Sequence, residues 1–107
     1  MAYRIKFLPK AKNDLETIYR RIIQAAPLHG PPWFNGLQRA VYSLRSNAER
    51  AVAVPHLSSA DCVVRQLLYG SYPHIYKVYY QIVGEAVEIM HIRHAARKQP
   101  RRRDLLK

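Results

Sequence analysis

The chain has 107 residues, 49% of them apolar, with 18 Lys and Arg against 7 Asp and Glu, for a formal net charge of +11. That length holds one compact core and excludes a second domain of ordinary size, while the apolar fraction excludes a disordered or fibrous chain. One cysteine, Cys62, cannot form an internal disulfide, no apolar run reaches the roughly 18 residues of a membrane span, and no charged n-region with an apolar h-region opens the sequence. A cytoplasmic protein with no membrane association is expected. A surplus of positive charge this large marks attraction to a polyanion or an acidic protein, and Coulomb's law does not choose between them.

Residues 3–8, YRIKFL, alternate Tyr3, Ile5 and Phe7 with Arg4 and Lys6, the period of a half-buried strand, and Pro9 ends it. Leu15, Ile18, Tyr19, Ile22, Ile23 and Ala26 then recur at helical spacing, with Lys12, Asp14, Glu16, Arg20 and Arg21 opposite. PLHGPP breaks that helix, and Pro31 or Pro32 can open the first turn of a second one, whose apolar stripe is Trp33, Leu37, Ala40, Val41 and Leu44. The short connection predicts an antiparallel helical hairpin. SNAERAVAVPHLSSAD follows as an irregular connector. CVVRQLLY, HIYKVYYQI and EAVEIMHI, separated by GSYP and VGE, read as three strands in an antiparallel meander. The expected fold is α+β: an N-terminal strand, a two-helix hairpin, then the three-stranded meander, with the helices on one sheet face and the other face bare. Residues 1–97 form the domain, and 98–107 form a basic tail whose like charges favour a solvated, disordered run.

Several side chains stand out. Arg65 shares a strand face with Val63 and Leu67, where it either covers apolar surface with its stem or serves as a phosphate clamp. His91 and His94 are three apart in a strand and point to opposite faces, so no joint metal site is expected, and no cofactor. Tyr72, Tyr76, Tyr79 and Tyr80 either fill the core or face outward to stack on bases. His94 sits at the strand end, as a proton shuttle or an ordinary surface histidine.

AKNDLETIYRRI, then Pro followed by W..GL..A..SL, then the Arg65 strand, then YKVYYQIVGEAVEIMHIRHAAR, together resemble the RelE/ParE superfamily of bacterial toxins over residues 3–97. The marker HxAR stands here as His94, Ala95, Ala96 and Arg97. The resemblance implies the toxin of a type II toxin–antitoxin pair, neutralised by a cognate antitoxin whose acidic or amphipathic segment wraps it. Two activities occur in that superfamily. RelE-like members cleave mRNA on the ribosome, which would assign Arg65, His94, Arg97 and Tyr80 (or Tyr76) to the chemistry, as charge stabilisers, proton shuttle and base aligner. ParE-like members bind and block DNA gyrase, which needs a recognition surface and no catalytic groups. Trp33 in the hairpin, the HxAR ending and a lysine-free loop, RAVAVPHLSSADC, resemble the ParE-like branch more. Trp33, Arg93, Lys98, Arg101, Arg102 and Arg103 are then the candidate residues for binding a partner or nucleic acid. Gyrase inhibition is the leading expectation, ribosome-dependent RNA cleavage the second, and a plain nucleic-acid-binding module without toxicity the third. The cationic residues are expected to converge, Arg65 beside His94, on the bare sheet face.

Overall fold

The computed structural model describes residues 2–96, Pro100, Arg101 and Leu105. Strand β1 (Arg4–Phe7) leads into helix α1 (Pro9–Ala25), followed by α2 (Gly30–Tyr42), a single turn α3 (Leu44–Asn47) and a two-residue strand β2 (Val52–Ala53). A 3-10 turn at Pro55–Leu57 precedes β3 (Val64–Tyr69), β4 (Tyr76–Val83) and β5 (Ala86–His94). Pro9 both ends the first strand and starts α1, because a proline at the first helical position sacrifices only an N–H that has no partner within the helix. Pro31 and Pro32 play the same part in the first turn of α2.

The sheet order is β1-β5-β4-β3-β2, antiparallel throughout except that β1 runs parallel to β5, from Arg4 opposite Ala86 to Phe7 opposite Ile89. The meander is present as expected, and β2 and α3 lie within the stretch read as an irregular connector. Two-residue β2 carries too little alternation to register as a strand. A bulge interrupts the pairing of β4 with β5: Tyr80 faces Ile89 and Tyr79 faces His91, leaving Met90 without a partner. The bulge turns Met90 and His91 toward the same side of the sheet.

The helices cover one face. Ala11 and Ile18 of α1 and Phe34, Leu37 and Val41 of α2 pack on Val78, Tyr80, Val87, Ile89 and Ile92, a continuous core. Gly36 faces Tyr69, and the space a side chain there would need is occupied by the Tyr69 hydroxyl.

The opposite face is not bare. Val54, Leu57, Val64, Tyr79, Met90 and Leu105 form a second buried cluster, with Cys62 and Leu8 at its margin. Leu105, expected in a solvated tail, is only 4% exposed, and Pro100 is buried as well. Leu105 removes apolar surface from water on a sheet face that the two helices cannot reach.

Candidate functional site

Arg65 lies on the helix-covered side, in register with Tyr80. Its Nη1 donates to the carbonyls of Ala51 (2.9 Å) and Glu49 (3.2 Å), and the Tyr80 hydroxyl donates to the carbonyl of Ala48 (2.5 Å). Three carbonyls of the segment between α3 and β2 are thus satisfied from the sheet. Tyr80 is fully buried; burial pushes its hydroxyl above the usual tyrosine range, with the Arg65 charge acting in the other direction. Such a hydroxyl has no free surface to align a base.

His94 lies at the far end of the sheet, paired with Tyr76. Arg65 and His94 are separated by four residues along β4, roughly 13 Å, and by two strand spacings, roughly 10 Å. The expected convergence on a bare face is therefore corrected twice: the two residues are apart, and Arg65 is on the side the helices cover. His94 belongs to a ring cluster in which Trp33 meets Tyr69 and Tyr76 edge-on at 5.1 and 5.3 Å, and Tyr76 meets His94 at 5.0 Å. Trp33 is half-buried there and its carbonyl accepts from the Tyr69 hydroxyl, so much of its surface is committed internally. The Ala96 N–H donates to His94 Nδ1 at 3.0 Å, so the neutral ring carries its proton on Nε2. In this tautomer His94 offers a hydrogen-bond donor where a general base would need a lone pair.

Beyond Ile89 the outer edge of β5 has no β1 to pair with, and α1 fills the place. Asp14 Oδ2 accepts the Ile92 N–H at 3.1 Å and lies 2.5 Å from His91 Nδ1. The helix and the strand end enclose a cleft of about 380 Å³. From α1 it is lined by Lys10, Asp14, Thr17 and Arg21, and from β5 by His91, Arg93 and His94, with Tyr76 behind. The α1 contribution was missed in the sequence although its signal is present: Lys10, Asp14, Thr17 and Arg21 recur at spacings of 4, 3 and 4, a second helical stripe set beside the apolar one.

A row of three directly opposed residues, Gln66, Tyr79 and His91, crosses β3, β4 and β5 on the second face. Each carries a buried polar atom, Gln66 Oε1, the Tyr79 hydroxyl and His91 Nε2, without a hydrogen-bond partner among the described residues. The His91 ring stacks on Tyr79 at 6.1 Å and 18°. Burial raises the Tyr79 hydroxyl above its ordinary value, and the Arg93 charge works against that. No group of three or more potential His, Cys, Asp or Glu ligands exists among the described residues, and none of their helices is long and apolar enough to cross a membrane.

Arg93 is half-buried in the cleft wall and Arg101 is exposed. Arg97, Lys98, Arg102 and Arg103 lie outside the described residues.

Solved structures share this fold, three of them as follows. A chain of the chromosomal ParDE toxin–antitoxin system from P. aeruginosa superposes with a TM-score of 0.69 at 20% identity, over 87% of this chain and 96% of that one. A chain of the RelBE2 toxin–antitoxin complex from Mycobacterium tuberculosis gives 0.52 at 20% identity, over 88% and 99%. A mutant of the E. coli toxin RelE in the free state gives 0.57 at 17% identity, over 90% and 86%. At these identities the likeness is one of fold. No curated protein matches the chain. The model of the ParE toxin of the type II toxin–antitoxin system parDE matches residues 5–99, from β1 past the end of β5, and on that span the chain belongs to the ParE toxin family.

Proposed function

We propose that this ParE-family toxin arrests growth by binding DNA gyrase and is held silent by a cognate antitoxin. The observation that carries this reading is the use to which Arg65 and Tyr80 are put. Attack of a ribose 2′-OH on the neighbouring phosphate needs cations and a proton acceptor gathered within about 3 Å of the reacting atoms. Arg65 and Tyr80 instead hold backbone carbonyls on the helix side, and His94 stands at the other end of the sheet with the proton of its neutral ring on Nε2. With Arg65 and His94 apart, the residues expected to carry the cleavage chemistry are not gathered around one point, which favours recognition of a large partner over catalysis. The net charge of +11 favours an antitoxin with an acidic segment, which gains charge complementarity along with apolar contact.

The test combines a cell and a reconstituted reaction. Induced expression should bring DNA damage and filamentation while protein synthesis continues, and the purified protein should inhibit supercoiling by gyrase, with co-expressed antitoxin abolishing both effects. Early arrest of translation with cut transcripts, and untouched supercoiling, would instead establish the RNA-cleaving activity.

A further inference from the structure

The cleft between α1 and the free end of β5 has a lining whose chemistry is one-sided. Lys10, Arg21 and Arg93 bring three positive charges into it, and among the described residues no carboxylate lies within ion-pair distance of any of them. The single carboxylate in the cleft, Asp14, is already engaged by His91 and by the Ile92 N–H through one oxygen. Of the other polar groups, the Thr17 hydroxyl gives its proton to the Asn13 carbonyl at 3.0 Å, while His94, whose Nδ1 is occupied by the Ala96 N–H, has Nε2 as a donor. A concave site furnished with donors and uncompensated cations calls for a ligand rich in acceptor oxygens and carrying more than one negative charge.

From this lining we infer that the α1–β5 cleft binds a phosphate-bearing ligand of about the size of one nucleotide. The volume, about 380 Å³, lies at the small-ligand end of the usual range of binding pockets. Tyr76, in near-perpendicular ring contact with His94 at 5.0 Å, offers an aromatic wall beside the cations, the combination on which a nucleobase rests while its phosphate is held. An acidic peptide fits less well. An extended strand lying along β5 would take its hydrogen bonds from the free backbone edge, and the Asp14 carboxylate already occupies the Ile92 N–H there. The phosphate can belong to a free nucleotide or to a nucleic-acid backbone, since the recognising chemistry is the same. This inference goes beyond gyrase inhibition, and its readouts do not involve gyrase, so either can fail while the other stands.

Titration of the ¹⁵N-labelled full chain with inorganic phosphate, adenosine monophosphate, a short single-stranded oligonucleotide and an oligoglutamate peptide, at constant ionic strength, tests the assignment. Adenosine monophosphate should shift the amide resonances of Thr17, Arg93 and His94. Arg21→Gln and Arg93→Gln should each weaken binding about tenfold or more, since each removes a charge-assisted contact. Arg39→Gln, which removes the same charge from the exposed surface of α2, should leave the affinity within about twofold. Binding of the oligonucleotide alone, with the same dependence on Arg21 and Arg93, also supports the phosphate site and names a polymer as its source. Tighter binding of oligoglutamate than of either phosphate ligand would overturn the inference, as would shifts confined to residues outside the cleft or affinities indifferent to Arg21 and Arg93. Thermal melts of the variants verify that each remains folded during the titration.

Discussion

Asp14 of α1 and His91 of β5, 77 residues apart, meet at 2.5 Å, and the same carboxylate oxygen takes the Ile92 N–H at 3.1 Å. The side chains are 19% and 8% exposed, so the contact is shielded from water on most sides. Asp14 thereby does for the end of β5 what another strand would do, satisfying an edge N–H while tying the first helix to the last strand. Removing it should be costly. Asp14→Ala is expected to destabilise the fold by about 2–3 kcal/mol, because a buried N–H and a buried ring N–H both lose their acceptor. Asp14→Asn, which keeps an acceptor oxygen, should lose about half as much. Urea unfolding monitored by circular dichroism measures both.

The two adjacent tyrosines of β4 should respond oppositely to loss of their hydroxyls. Tyr80 donates to the Ala48 carbonyl, whereas the buried Tyr79 hydroxyl has no partner among the described residues. Tyr80→Phe is expected to cost about 1 kcal/mol, and Tyr79→Phe to be neutral or slightly stabilising. Paired thermal melts at neutral pH compare them directly.

Alkaline pH should unfold the protein through the same pair. Both hydroxyls titrate above the ordinary tyrosine value of 10.0 in the native state because they are buried, and Tyr3, bonded to Glu49, shifts the same way. Above about pH 10 the unfolded chain gives up these protons while the native chain keeps them, so the native state binds more protons and stability falls with rising pH. The contribution is fully present below the unfolded value and is lost as pH rises through the raised native values. Urea midpoints measured from neutrality to about pH 11 should decline, and the decline should be shallower in Tyr80→Phe.

Arg65 should behave as a structural tie. Arg65→Met removes the donor to Ala51 and Glu49 and the positive charge beside Tyr80. A loss of about 1–2 kcal/mol is expected, together with a further upward shift of the Tyr80 titration, read by ultraviolet difference spectra. Growth arrest should persist at temperatures where the variant is folded. Abolished arrest by a variant shown to be folded would return Arg65 to a direct role.

Gly36→Ala places a methyl group against the Tyr69 hydroxyl, which must then leave the Trp33 carbonyl. The expected penalty is about 1–3 kcal/mol, as for other overpacked positions. Because Trp33 is the chain's one tryptophan, its fluorescence should report the rearrangement of the Tyr69 and Tyr76 contacts.

Reading the sequence located every strand but β2, and the helical hairpin, because those depend on periods of two and 3.6 residues and on turn residues that act locally; the family resemblance rested instead on residue patterns and their order along the chain. It also placed Arg65 and Leu67 on one side of β3 and His91 and His94 on opposite sides of β5, which alternation alone dictates. Which side the helices would take was not in that pattern. Arg65 reads as a cation set among apolar residues whether it clamps a phosphate or holds the carbonyls of Glu49 and Ala51.

By itself, the sequence determined the α+β order of elements, the excess of positive charge and the faces on which side chains alternate. Only the tertiary structure decided that β1 stops pairing with β5 at Ile89, that α1 takes its place, and that Lys10, Arg21 and Arg93 share a cleft as a result. The physical reason is that strand pairing and helix docking join residues more than seventy positions apart, and no local periodicity carries information about such partners.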